Sequence, residues 1–188
     1  YLTQEDYALK EEGFDFLFLV VINLNKCHLF KKDFANSFKL LEEVEIHLEK
    51  FSMNYRVMYY SMLALTQFNL GSYKDASSSY EKKIVLLKKA IERSDNQNPL
   101  KIHHIFLLAD AYLCLAETMK TQFQSKLVST ATEVPLSFSP SYRNRSFERI
   151  ESVYLTGVNL FLSYKEDIAF LLRAEYSIQR LKEFYIEN

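Results

Sequence analysis

Residues 58–87, MYYSMLALTQFNLGSYKDASSSYEKKIVLL, limit what this chain can fold into more than any other stretch. Tyr60, Leu63 and Ala64 recur at the spacing of one helix face, Gly71 interrupts, and Tyr73, Ala76 and Tyr80 resume at helical spacing. Glycine adopts positive φ at no steric cost, so a helix can stop at Gly71 and the chain can reverse. The pattern predicts two antiparallel helices joined at Gly71, touching where the side chains are small.

Composition supports helices throughout. The 188 residues are enough for one domain with a sizeable core, or for three to four helical hairpins. Apolar residues make up 48%, yet there are only three Gly and three Pro, which disfavours a turn-rich β fold. With 13 Tyr, 15 Phe and no Trp, helix contacts must be filled largely by single-ring aromatics. A net charge of −1 lacks the basic excess of a general nucleic-acid binder.

The 58–87 stretch resembles a tetratricopeptide repeat. Tyr60, Leu63, Ala64, Gly71, Tyr73, Ala76 and Tyr80 stand at seven of that family's pattern positions. Gln67 departs where an aromatic is usual, and Lys83 where Ala is usual. The match covers about one repeat, roughly a fifth of the chain, and fades elsewhere. The resemblance implies an all-α fold of about seven helices. Its antiparallel hairpins would stack as a right-handed superhelix within a single domain 1–188: better-matched hairpins over 1–124, a loop over 125–145, and a C-terminal hairpin over 146–188.

In chain order, Thr3 and Asp6 form a helix start, and a helix to about residue 30 follows with Phe14, Leu17, Phe18, Val21, Leu24 and His28 on its apolar side. Gly13 bends or breaks it. Phe34 echoes Tyr73 at an offset of 39 residues, and the same offset puts Asn25 on a small-residue position. A second helix is expected to about Phe51. The helix after Tyr73 runs to about Arg93, with Lys82, Lys83, Lys88 and Lys89 as its solvated face. Asn98 caps and Pro99 opens a fifth helix to about Gln124, in which Ile105, Leu108, Ala109 and Tyr112 keep the family's register. Residues 126–145, with Pro135 and Pro140, read as a long surface loop, either mobile or a lid. Ser146 begins a sixth helix, and a seventh starts near Lys165.

No chemistry is written in the chain. Cys27-His28 and His103-His104 are adjacent pairs, which a helix points about 100° apart, whereas two ligands on one face need a spacing of three or four. Three glycines make no phosphate loop, and no nucleophile elbow occurs. Glu42, Glu43, Glu45 and Glu49 read as a solvated face, Ser77–Ser79 as a close-packing stripe, and Cys27 and Cys114 as small buried thiols. Arginines interleaved with Tyr142 and Phe147 offer a weaker nucleic-acid alternative. The apolar run 17–22 is too short to span a bilayer. No metal, cofactor, catalytic residue or membrane segment is expected, and the location is expected to be intracellular.

The resemblance implies a peptide or partner helix lying in a concave groove lined by the first helix of each hairpin. Place by place, the groove falls on Met58, Ser61, Leu65, Phe68 and Asn69, joined through the weaker alignments by Leu19, Ile22, Lys26, His103, Phe106 and Asp110. Ile22 and Lys26 stand where relatives that clamp acidic chaperone tails need Lys and Asn, so an acidic-tail binder is not expected. The reading is a non-catalytic binding or scaffolding module, an oligomer or part of a larger protein or complex. The alternative is a sensor domain that closes a pocket beneath 126–145 around a peptide or small ligand and switches an attached output.

Overall fold

Two reversals of the same design shape the N-terminal half. The computed structural model describes residues 4–95, 98–130, 140–164 and 166–187; the side chains of 4–15, 127–130, 140–143 and 187 are outside the description. At the first reversal Lys32 has φ +57°, and at the second Gly71 has φ +79°. The Lys32 and Asp33 N–H groups donate back to Leu29 O at 3.0 Å and His28 O at 2.9 Å. Gly71 and Ser72 do the same to Phe68 O at 3.0 Å and Gln67 O at 2.9 Å. Each end is thus a Schellman cap that satisfies the last carbonyls with one left-handed residue.

The described residues form seven α-helices: α1 (Gln4–Phe30), α2 (Phe34–Glu45), α3 (Met53–Asn69), α4 (Tyr73–Arg93), α5 (Pro99–Thr130), α6 (Pro140–Leu162) and α7 (Ile168–Glu187). No strand occurs among the described residues, so the all-α expectation holds. α1 passes through Gly13 unbroken. α2 stops six residues before the expected Phe51 and gives way to a 3-10 turn over Leu48–Lys50. The three-residue period of that turn points both Leu48 and Phe51 into the core.

The expected 126–145 loop is shorter at both ends. α5 continues to Thr130 and α6 already begins at Pro140. A proline is well placed in a first helical turn, and the Phe123 and Phe147 rings meet at 5.3 Å to hold the two helices together. Residues 131–139, where a lid or a mobile segment was expected, lie outside the described residues. α7 starts three residues late because Asp167 caps it, its Oδ1 accepting from the Ala169 N–H at 2.9 Å.

The chain divides into two compact units, residues 1–86 and 87–188, with the division inside α4. In the first, Phe18 is fully buried, its ring 4.6 Å from Phe51 and 5.2 Å from Tyr55. Ile22, Leu41, Val44, Tyr59 and Leu63 complete that core. The buried arc of α1 is Phe18, Val21, Ile22 and Asn25, whereas Leu17 and Leu24, expected inside, are exposed. Periodicity misplaces the arc because residues 16–22 of α1 are apolar without interruption. Lys83, expected on the solvated face of α4, is buried as well.

In the second unit α6 packs on both α5 and α7. Gly157 marks the close crossing of α6 over α5: a Cβ there would sit 3.0 Å from Leu113 Cδ2 and 3.1 Å from Ala109 O. Phe161 and Phe170 close the core at one end, and Tyr154 with Phe184 at the other.

The two reversals respond oppositely to substitution. Gly71→Ala should destabilise by about 1–2 kcal/mol, the usual excess of an L-residue in the left-handed region, whereas Lys32→Gly should raise the urea midpoint slightly, its extra unfolded-state entropy offsetting part of the relief. Equal midpoints for both variants and the parent would refute the capping scheme.

The cap of α2 titrates. The side-chain amide of Asn36 donates to Asp33 at 2.8 Å and holds its carboxyl below the ordinary value; slight burial opposes this, and the Asn36 backbone and His28 assist. A depressed folded pKa gives stability that is complete above the unfolded value of about 3.9 and is lost as pH falls through the folded value. The midpoint gap between the parent and Asp33→Ala should therefore narrow on acidification below about 4.

Candidate functional site

α1 and α3 run side by side in the same direction. Phe18 stacks near Tyr55, 37 residues on, and Asn25 meets the level of Thr66, 41 residues on, through their common partner Ser37. These separations bracket the 39-residue offset between the two reversals. Residues of α1 and α3 related by that offset therefore stand at equivalent levels.

The five positions on α3 form one stripe with differing exposure. Met58 and Leu65 are 38% and 43% exposed, Asn69 is exposed, and Ser61 and Phe68 are half-buried. The Ser61 hydroxyl donates to Val57 O at 2.9 Å, and the Asn69 amide donates to Leu65 O at 2.8 Å. Both polar groups turn back on their own helix, so the stripe presents mainly apolar surface. Phe68 sets its ring edgewise to Tyr73 at 5.4 Å, across the Gly71 reversal.

On α1, Leu19 and Lys26 are exposed, but Ile22 is only 1% exposed and belongs to the core. It therefore cannot line a groove. The equivalent α3 position carries the small Ser61, and a branched apolar side chain at 22 turns inward instead.

The three α5 positions separate likewise. His103 is exposed. Phe106 meets Phe161 at 5.3 Å and Phe170 at 5.1 Å, and Asp110 is ion-paired with Arg173 of α7. Phe106 and Asp110 are thus contacts to α7 and not free groove positions. Arg180 extends the same seam, its Nε 2.8 Å from Glu117 Oε1 and its Nη1 2.7 Å from Glu183. Hydrogen bonding to Glu117, opposed by partial burial, holds the Arg180 guanidinium above its ordinary pKa. Phe106–Phe170, Asp110–Arg173 and Glu117–Arg180 are 63 or 64 residues apart, so α5 and α7 also run parallel in constant register.

Sequence reasoning missed a polar knot between α1, α2 and α3. The buried Ser37 hydroxyl donates to Asn25 Oδ1 at 2.7 Å and shares a hydrogen bond with the Thr66 hydroxyl at 2.8 Å. The anomalous Asn25 at a small-residue position was its one visible trace. Gln67, which replaces the family's aromatic, accepts from the buried Ser79 hydroxyl at 2.7 Å. Cys27 is exposed and not the expected buried thiol, while Cys114 is partly buried; neither forms a disulfide among the described residues.

Among the described residues no group of three His, Cys, Asp or Glu side chains could hold a metal ion. Phe147, one of the two rings in the basic 142–149 run, packs against Phe123 and Phe184 and so is not a stacking platform for bases. A cleft in the second unit has an apolar floor of Met119, Phe123 and Ile150 and a polar rim of Gln122, Lys126, Ser146 and Arg149. Residues 99–126 of α5 are long and apolar enough to cross a membrane, with mean hydropathy 1.2. Ile105, Ala109, Leu113, Ala116 and Phe123 of that segment nevertheless form the core of the second unit. No family model matches the chain, and no curated protein matches it significantly.

Ser37→Ala removes the shared partner of two buried oxygens and should destabilise by about 1–3 kcal/mol. In a denaturation cycle with Asn25→Ala, the double variant should fall short of the sum of the single losses by about 0.5–3 kcal/mol. Strict additivity would show that the two side chains act independently.

Proposed function

We propose that this chain is a non-catalytic binding module built from tetratricopeptide-like helical hairpins, and that it holds an apolar peptide segment or helix of a partner protein along α1 and α3. The observation that carries this reading is the exposed set Leu19, Met58 and Leu65 on two parallel first helices, in register near the 39-residue offset. Ser61 and Asn69 satisfy their hydrogen bonds within α3, so a segment approaching the stripe displaces water from apolar surface without stranding polar groups. Lys26 adds a cation near this stripe, which favours a segment with an acidic residue beside its apolar anchors.

The second-unit positions His103, Phe106 and Asp110 form no part of this proposed surface, because Phe106 and Asp110 are engaged with α7. The reading draws support from the αα-reversal at Gly71, which carries the family's clearest residues.

A display selection of random peptides against the whole chain should yield apolar sequences whose binding, read by fluorescence polarisation, weakens at least about tenfold in Leu65→Glu, a loss of about 1.4 kcal/mol. The melting temperature should stay within a few degrees because Leu65 is already exposed. Selected peptides that bind Leu65→Glu and Met58→Glu as tightly as the parent would overturn the reading.

A further inference from the structure

A helix that is apolar on every side is normally buried on every side. α5 meets that expectation over residues 104–124, none of which is exposed, but the apolar run 16–22 of α1 does not. The inner arc of α1 packs into the first unit through Phe18, Val21, Ile22 and Asn25. On the opposite side Phe16, Val20 and Leu24 recur every fourth residue and are 68%, 50% and 47% exposed, flanked by Leu17 and Cys27. Past the end of that stripe, Phe30 is 94% exposed. Solvent is a poor neighbour for so continuous an apolar stripe, and contiguous patches of this kind mark interaction surfaces.

The charge along α1 identifies the occupant. Its first half carries Glu5, Asp6, Glu11, Glu12 and Asp15 against a single Lys10. Its last turns and the reversal that follows carry Lys26, Lys31 and Lys32, all exposed, with Asp33 as the nearest acid and that acid occupied by Asn36 and His28. The helix is therefore acidic at its start and basic at its end. Two such helices laid antiparallel bring acid against base at both ends, and their dipoles also oppose favourably. Laid parallel, they would bring like charges together at both ends. A self-complementary face of this kind is what a two-fold contact requires. At 27 residues, α1 offers a contact line about 40 Å long.

We propose that the outer face of α1 is the contact between two copies of this chain, packed antiparallel α1 to α1 about the Val20–Leu24 region. A lipid surface fits less well. The apolar run 16–30 is shorter than a span and carries Asn23 and Lys26 exposed within it. A helix lying in a membrane interface also needs a broad solvated polar face, whereas the far side of α1 is protein core. The two readings share α1 but not their side chains: the peptide stripe uses Leu19 with Met58 and Leu65 of α3, whereas the proposed dimer face uses Phe16, Val20 and Leu24.

The test is sedimentation equilibrium of the whole chain over a wide concentration range, with Val20→Glu/Leu24→Glu as the variant. The parent should reach twice the chain mass, and the variant should dissociate at least about a hundredfold more readily, as buried unpaired carboxylates require. Its circular dichroism should be unchanged because both positions are exposed. Ile168→Glu, at an exposed position of α7, should still dimerise. Orientation is read by charge reversal: Lys31→Glu/Lys32→Glu should weaken the dimer at low salt, and adding Glu11→Lys/Glu12→Lys should restore it. A parent that stays monomeric, a dimer indifferent to Val20→Glu/Leu24→Glu, or charge reversals that fail to rescue one another would each overturn the proposal. So would binding of the parent to anionic phospholipid vesicles through Val20 and Leu24 in place of self-association.

Discussion

The first unit depends on ending a helix and reversing the chain within two or three residues. α1 and α3 must each release their last carbonyls somewhere, and a left-handed residue at 32 or 71 directs its own N–H and the next one back onto them. Without that closure the following helix could not lie antiparallel at contact distance, and the small Ser37 and Ala76 would have no partner face to approach. Asp33 then serves two helices at once: its N–H closes α1 and its carboxylate caps α2.

The second unit solves the same problem with different means. The contact of α6 with α5 is set by a glycine inside a helix, not by a glycine between helices. Gly157 lets α6 approach the α5 backbone at Ala109, and α7 is then drawn alongside α5 by aromatic contacts and by two arginine–carboxylate pairs a helical heptad apart. Those pairs remain partly exposed, so they serve register more than net stability. α1 beside α3 and α5 beside α7 thus share a plan in which alternate helices run parallel.

How much of this was legible in the sequence depended on whether a residue type carries its own conformational demand. Gly71 does, and the break between α3 and α4 falls where the pattern put it. Lys32 does not, and only the echo of Tyr73 by Phe34 pointed to the first reversal. The buried face of α1 was illegible because residues 16–22 are apolar without interruption, leaving no contrast for periodicity to detect. The α5–α7 pairs were illegible for another reason: Asp110 and Arg173 are 63 residues apart, and nothing local in either segment announces the other. Phe106 and Asp110 were read as surface for want of that information, and Ile22 was misplaced by an alignment that carried a family position onto a helix with a different inner arc.

The Asn25–Ser37–Thr66 knot has a bearing on how faithfully the first unit assembles. Greasy side chains tolerate sliding past one another, since one methyl group replaces another at little loss. Directional contacts do not: a shift of α1 along α2 by a single residue would leave an amide and two hydroxyls facing hydrocarbon. The Asn25 Nδ2 already lacks an acceptor, so the trio has no slack for a second misfit. It behaves as a keyway, admitting one alignment of three helices and rejecting its near neighbours.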